Sequence, residues 1–74
     1  MKAGLVKHSV LVAGHRTSVS LEPEFWQALQ RLAKANQRSV NAEIGAIDAG
    51  RGERNLSSAI RLAILGAYEA QRTF

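Results

Sequence analysis

The side chains best suited to molecular recognition lie near the N-terminus, where polar and apolar residues alternate. Arg16, Ser18 and Ser20 occupy every second position, and Val19 and Leu21 take the positions between and after them. An arginine guanidinium can donate two parallel hydrogen bonds, and a serine hydroxyl can either donate or accept one. The period of two predicts a β-strand with one buried apolar face and one exposed, hydrogen-bonding face.

The sequence lacks the combinations of residues that catalysis or metal binding requires. The chain has no cysteine, and it shows no paired carboxylates, nucleophile–base pair or glycine-rich phosphate loop, which argues against an enzyme and against a bound cofactor. His8 and His15 have no cysteine or acidic partner nearby in the sequence. We therefore interpret them as hydrogen-bonding or phosphate-contacting residues rather than as metal ligands.

The predicted strand needs a neighbour, because a lone strand leaves its backbone N–H and C=O groups without partners. A chain of 74 residues is expected to be one domain, with its helical part over residues 22–74, and its single core is marginally stable at this size. We therefore expect a homodimer in which the strand pairs with its copy across a two-fold axis. The product is an antiparallel ribbon with the polar side chains of both copies on one surface.

The segment before the strand fits two arrangements. Residues 8–13 are mostly apolar and prone to β structure, and Gly14 follows them. They either continue into the main strand through a kink or bulge at Gly14, giving one strand region over residues 8–21, or fold back on it as a hairpin. Because the turn lacks a strong Asn-Gly type of signal, we favour the continued strand.

Basic residues are concentrated at the strand end of the chain. The net charge is +4, and Lys2, Lys7 and Arg16 precede position 22 without any acidic residue. A basic segment of this kind suits a polyanion such as nucleic acid, and a solvated arm over residues 1–7 explains the charge equally well. We expect a cytoplasmic protein, because no apolar run is long enough to span a membrane and no signal peptide is recognisable.

Three helices are predicted after the strand, over about residues 23–36, 39–50 and 56–71. Pro23 suits the first position of a helix, and Ser39 suits the N-cap of the next one. Apolar residues recur at helical spacing in each segment: Phe25, Leu29, Leu32 and Ala33; Val40, Ile44 and Ile47; Leu56, Ala59, Ile60, Ala63, Ile64 and Ala67. These patterns predict an α+β fold that is mostly helical.

The order of strand, helix, tight turn and helix resembles that of the ribbon-helix-helix transcriptional regulators, which include the Arc and methionine repressors. The most specific similarity is in residues 36–44, Asn-Gln-Arg-Ser-Val-Asn-Ala-Glu-Ile, which resemble the inter-helix turn and the start of helix B in Arc. Residues 13–26 and 55–61 are similar to a small bacterial subfamily of ribbon-helix-helix proteins. Together these segments cover most of the chain.

The resemblance implies a dimer, able to form higher-order assemblies, that binds double-stranded DNA without a cofactor. The base-contacting strand positions of the family fall on Arg16, Ser18 and Ser20, the residues that alternation alone exposes. The phosphate-contacting start of helix B falls on three consecutive residues, Ser39, Val40 and Asn41. Other candidates for contacts to the DNA backbone are Lys7, His8 and His15.

Two features depart from the minimal family pattern. The third helix is additional, and residues 55–67 themselves resemble the capped second helix of other members. Helix B is therefore either 39–50 or 56–71, and in the second case residues 39–50 are an insertion. We favour 39–50, because the short turn that precedes it has the usual spacing of the family.

Three functions are compatible with these observations. The first is a dimeric, sequence-specific transcriptional regulator, such as a repressor, that acts on the nucleoid. The second is an antitoxin, in which the same DNA-binding part carries a C-terminal helix that binds a toxin partner. The third is a helical interaction module without any DNA affinity.

Overall fold

The computed structural model describes residues 4–71, and it contains a β-hairpin followed by three helices. The elements are β1 (Val6–Val12), β2 (His15–Leu21), α1 (Pro23–Ala35), α2 (Val40–Ala49) and α3 (Leu56–Gln71). The α+β, mostly helical class is confirmed. The ends of the three helices agree with the predicted ends to within one residue.

Two residues close the hairpin between the strands. Val12 pairs with His15, which leaves Ala13 and Gly14 as the whole turn, with φ angles of 52° and 80°. Positive φ at both central residues is the signature of a type I′ turn, whose twist matches that of the flanking strands. The expectation of a continued or bulged strand at Gly14 was therefore wrong, and the hairpin alternative is confirmed.

The neighbour of β2 is β1 of the same chain. The two strands pair antiparallel from Val6 opposite Leu21 to Val12 opposite His15. This corrects the expectation that a second copy supplies the neighbouring strand across a two-fold axis, because the hairpin already meets the hydrogen-bonding need of β2. β1 also begins at Val6, inside the predicted basic arm, and residues 1–3 of that arm lie outside the described residues.

Side chains from two helices reach the outer edges of the hairpin. On the β2 edge, the Ser20 N–H donates to Ser57 Oγ at 3.1 Å, and Arg61 Nη2 donates to the Ser20 carbonyl oxygen at 3.3 Å. On the β1 edge, the Leu11 N–H donates to Asn41 Oδ1 at 3.4 Å, a long hydrogen bond. A second copy that added a strand to either edge would have to displace these contacts.

The core lies between the inner face of the hairpin and the three helices. Five side chains are almost completely buried, and they come from four different elements: Val19, Leu21, Leu29, Ile44 and Ile60. Val10 and Val12 add the contribution of β1, so every element supplies buried apolar surface. One chain therefore builds a contiguous core without a partner.

The turn between α1 and α2 is held by backbone and side-chain hydrogen bonds. Gln37 has a φ of 58°, its N–H donates to the Lys34 carbonyl at 3.0 Å, and the Arg38 N–H donates to the Ala33 carbonyl at 2.9 Å. This pattern is a Schellman motif, which ends α1 and turns the chain sharply. The buried carboxylate of Glu43 accepts from Asn36 Nδ2 at 3.1 Å and pairs with Arg38 at 3.4 Å.

Candidate nucleic-acid interface

One surface of the hairpin faces away from the core. Successive side chains of a strand alternate between its faces, and Val10, Val12, Val19 and Leu21 mark the buried one. The opposite surface, which we call the outer ribbon face, consists of three cross-strand pairs: Lys7 with Ser20, Ser9 with Ser18, and Leu11 with Arg16.

The three residues predicted to contact bases lie together on the outer ribbon face. Arg16 and Ser18 are exposed, whereas Ser20 is half-buried because its end of β2 lies against α3. Lys7, predicted as a backbone contact, is exposed on the same face and lies opposite Ser20. The face therefore carries two cations and several hydroxyl groups without an acidic side chain.

Sequence reasoning missed two members of this face, Ser9 and Leu11. Both are exposed, and Leu11 leaves 48% of its surface accessible to solvent. The sequence did contain a signal for them. Once the hairpin is recognised, β1 shows the same alternation of buried and exposed positions as β2, which places Ser9 and Leu11 on the exposed face. Serine adds a donor and acceptor to the face, and leucine adds an apolar contact.

The two histidines lie on the other side of the ribbon. His8 is opposite Val19 on the inner face, and its ring stacks on Trp26 with centroids 3.7 Å apart and planes 4° apart. Trp26 packs against the core. His15 is exposed at the hairpin turn, on the same side of β2 as Val19. Neither His8 nor His15 therefore lies on the outer ribbon face, where Arg16 lies.

The start of α2 lies beside the edge of the ribbon. Ser39 is its N-cap, and Ser39 Oγ accepts a hydrogen bond from the Ala42 N–H at 3.0 Å. The N–H groups of Val40 and Asn41 find no acceptor among residues 4–71, as is usual for the first turn of a helix. Through its side-chain oxygen, Asn41 also contacts the Leu11 N–H, so this helix start is attached directly to β1.

An ion pair fixes the junction between β2 and α1. Arg61 Nε lies 3.1 Å from Glu22 Oε1, while the same guanidinium donates to the Ser20 carbonyl. A backbone hydrogen bond and the Arg61 side chain lower the pKa of Glu22 below its usual value. Arg61 is therefore engaged within the chain, and the cations left on the outer ribbon face are Lys7 and Arg16.

Residues 4–71 contain no group of three His, Cys, Asp or Glu side chains positioned to hold a metal ion. Within the same range, no helix is long and apolar enough to cross a bilayer.

A comparison with protein-family models identifies the architecture. The model described as the ribbon-helix-helix domain matches residues 5–68, which is most of the chain and includes the hairpin, α1, α2 and most of α3. The chain belongs to the ribbon-helix-helix family. Ribbon-helix-helix domains are DNA-binding modules that generally act as dimers. The comparisons with curated proteins and with solved structures gave no match.

Family membership places α3 inside the domain. The ribbon-helix-helix match ends at residue 68, three residues before the end of α3. The structure also shows why this helix belongs there, since Ala59, Ile60 and Ile64 are buried and Ser57 and Arg61 contact β2. In this ribbon-helix-helix chain the third helix therefore completes both the core and the edge of the ribbon.

Proposed function

We propose that this protein is a dimeric, sequence-specific DNA-binding regulator whose outer ribbon face reads the major groove. The observation that carries the proposal is the joint placement of Lys7, Arg16 and Ser18 on one exposed face of a two-stranded ribbon. A basic, hydrogen-bonding ribbon of this kind has the size to enter the major groove, where each base pair presents a distinct pattern of donors and acceptors.

Base recognition is assigned to the outer ribbon face. Arg16 is proposed to donate two hydrogen bonds to O6 and N7 of a guanine, which is the commonest specific contact of this type. Ser18 and Ser20 donate or accept, and they discriminate less sharply. Leu11 lies opposite Arg16 and offers apolar surface to a thymine methyl group.

Phosphate contacts set the depth and register of the ribbon in the groove. The free N–H groups of Val40 and Asn41, at the positive end of the α2 dipole, are proposed to bind a phosphate. Ser39 caps the same turn, while Lys7 and the exposed His15 supply further contacts near the ribbon. His8 belongs to this set only if its stacking on Trp26 opens.

Selection of binding sites from random duplex DNA tests the proposal. The wild-type chain should enrich one sequence, and Arg16→Ala should relax the preference at one position of each site by about 5- to 150-fold, the equivalent of about 1–3 kcal/mol. Arg54→Ala is the matched control, because it removes the same charge from the exposed connection between α2 and α3. The control should leave the selected sequence unchanged.

Two results would contradict this function. Equal loss of affinity on all sequences in Arg16→Ala would show that Arg16 does not read a base. Absence of any duplex affinity at low salt would favour a helical interaction module without a DNA role, since electrostatic binding is strongest there.

An antitoxin role is the second candidate, and exposed apolar residues on α3 favour it. Leu62, Leu65 and Tyr68 each leave about half of their surface accessible, as expected of a helix that contacts another protein. Co-expression with the neighbouring open reading frame tests this role. A stoichiometric complex that survives purification and depends on Leu65 would support it.

A further inference from the structure

A groove between α1 and α3, which we call the α1–α3 groove, consists of two adjoining hollows. The larger has a volume of about 490 Å³, and its apolar lining includes Phe25, Leu62 and Leu65. The smaller, of about 210 Å³, lies toward the C-terminal ends of both helices, where Ala35 and Gln71 line it. The larger hollow falls in the range of about 300–1,000 Å³ that is usual for small-molecule sites.

Two polar side chains, Arg31 and Tyr68, line both hollows and join α1 to α3 across the groove. Arg31 Nη2 donates a hydrogen bond to Tyr68 Oη at 3.0 Å. Because the tyrosine oxygen accepts this hydrogen bond, its own proton is available to another acceptor, and the guanidinium keeps its other N–H groups. Arg31 and Tyr68 therefore offer hydrogen-bond donors to a ligand in the groove.

The charge of Arg31 is not compensated within the described part of the chain. Arg31 forms no ion pair within residues 4–71, and its side chain donates there to a neutral hydroxyl group. Arg61, the other arginine that lines the groove, is already engaged by Glu22 and by the Ser20 carbonyl oxygen. An anionic group is therefore favoured beside Arg31.

The acidic residue of the groove lies at the opposite end of the larger hollow. Glu24 precedes Arg31 by two helical turns of α1, a distance of about 10 Å along the helix axis. Its carboxylate repels an anion at that end, and apolar side chains line the space between the two charges. This polarity suits a molecule with one anionic end and one apolar tail.

We propose that the α1–α3 groove binds a small linear carboxylate, whose carboxylate group is held by Arg31 and Tyr68 and whose alkyl chain lies along the groove toward Phe25 and Leu62. An arginine guanidinium can hold a carboxylate through two parallel hydrogen bonds. The residues that line the two hollows do not belong to the outer ribbon face. The inference therefore goes beyond the proposed DNA binding and does not depend on it.

The width of the groove favours a slender ligand over a helix of a partner protein. A helix with its side chains is about 10–12 Å across. To lie in the groove it would have to separate Arg31 from Tyr68, whose side chains meet at 3.0 Å. An alkyl chain fits in the larger hollow beside this hydrogen bond and leaves it in place.

Titration of the full chain with octanoate, followed by NMR, tests the proposal. Tyr68 is the only tyrosine in the sequence, so the tyrosine ring signals report directly on the groove. Octanoate should shift these signals and the Nε–H signal of Arg31 saturably. It should bind at least about fivefold more tightly than octan-1-ol, which has the same chain without the carboxylate.

The length of the alkyl chain gives a second test. Octanoate should bind about three- to tenfold more tightly than hexanoate, because two further CH₂ groups are buried in the larger hollow. Acetate carries the carboxylate without the chain and should give no saturable shift.

Substitution of Arg31 tests the anionic end of the site. Arg31→Gln should weaken the binding of octanoate about tenfold and leave the affinity for octan-1-ol unchanged. Lys34→Gln is the matched control, because Lys34 is an exposed cation of α1 that is not among the residues lining the groove. The control should retain the wild-type affinity for octanoate, and circular dichroism checks the fold of both variants.

Three results would overturn the proposal. They are the absence of a saturable shift with octanoate below its micelle-forming concentration, equal affinities for octanoate and octan-1-ol, and equal loss of affinity in Arg31→Gln and Lys34→Gln. Binding of an acidic helical peptide but not of octanoate would also overturn it, and would assign the groove to a protein partner. Failure of the proposed DNA function would look different, because the chain would then bind octanoate and still select no DNA sequence.

Discussion

Ala13 adopts a backbone conformation that L-amino acids other than Asn and Asp rarely accept. Its φ of 52° lies in the left-handed region, where the side-chain Cβ approaches the following carbonyl oxygen and costs about 1–2 kcal/mol. Gly14, at φ 80°, has no Cβ and does not bear this cost. Gly14 thus suits the second central position of the turn, whereas Ala13 is strained at the first.

Relief of this strain should stabilise the protein. Asn is a favoured residue at the first central position of a type I′ turn, so Ala13→Asn should raise the free energy of unfolding by about 0.5–1 kcal/mol. Gly14→Ala should lower it by about 1 kcal/mol. Chemical denaturation measures both, and equal stability of the two variants would show that the turn is of another type.

Glu22 should contribute to the dependence of stability on pH. Its pKa is lowered in the folded chain by a backbone hydrogen bond and by Arg61. A lowered carboxyl pKa stabilises the folded state above the unfolded value, near 4.5, and this contribution is lost as the pH falls through the folded pKa. Glu22→Gln should therefore be less stable than wild type at neutral pH, and the difference should shrink below about pH 4.5.

Urea denaturation between pH 2 and 7 measures that difference. Glu53→Gln is the control, because Glu53 is exposed and forms no ion pair within residues 4–71. A constant difference between Glu22→Gln and wild type over this pH range would contradict the role given to the Arg61 contact.

Some residue contacts could not be predicted from the sequence, because they depend on how elements pack. The helical pattern around Ser39 gave no reason to bury Glu43, yet the tight turn between α1 and α2 brings Asn36 and Arg38 to its carboxylate. The stacking of His8 on Trp26 likewise requires the hairpin, which places β1 beside α1. By contrast, the exposure of Arg16 and Ser18 follows from local alternation, which the structure preserves.

At the scale of elements, the start of α2 has one observed role and one proposed role. It caps a helix through Ser39, and it is proposed to bind phosphate through the free N–H groups of Val40 and Asn41. The two functions can be separated, because an N-cap needs a side-chain acceptor whereas a phosphate site tolerates no added negative charge.

Two substitutions at Ser39 can separate its N-cap role from the proposed phosphate contact. Ser39→Asn and Ser39→Asp should both keep the free energy of unfolding within about 0.5 kcal/mol of wild type, because Asn and Asp are good N-caps. Ser39→Asn should bind DNA nearly as well as wild type, while Ser39→Asp should lose at least about tenfold on every sequence through charge repulsion. Equal DNA affinity of the two variants would contradict the proposed phosphate contact at the start of α2.

The accuracy with which the sequence predicts each element differs between the helices and the strands. The helices carry long periodic patterns with caps, and their predicted ends are correct to within one residue. β1 has an equally apolar pattern, but its link to β2 rests on Ala13-Gly14, a turn without the usual residues. A weak turn signal therefore hid the hairpin, although both strands were recognisable as β-prone.

At the scale of the whole molecule, one chain provides a full core and a full ribbon. Val10, Val12, Val19 and Leu21 come from the two strands of one hairpin and pack on helices of the same chain. An interwoven dimer, in which the strands of two chains share one ribbon, would lose its ribbon on dissociation. Here a folded monomer would retain it, contrary to what pairing across a two-fold axis predicts.

Dilution tests this property. At concentrations where sedimentation detects only monomers, the chain should keep its circular dichroism spectrum and unfold cooperatively. Within that monomeric range its thermal midpoint should not change with concentration, because dimerisation then adds no stability by mass action. Loss of structure on dilution would show that folding requires the second copy.

The hairpin also determines what kind of DNA sequence the proposed base contacts of one ribbon would recognise. Its two strands present different side chains, with Lys7, Ser9 and Leu11 on one and Arg16, Ser18 and Ser20 on the other. The side chains that a single hairpin presents to the DNA therefore have no internal two-fold symmetry. The half-site should be an asymmetric stretch of base pairs, and any palindrome in the operator should reflect only the spacing and orientation of the two chains.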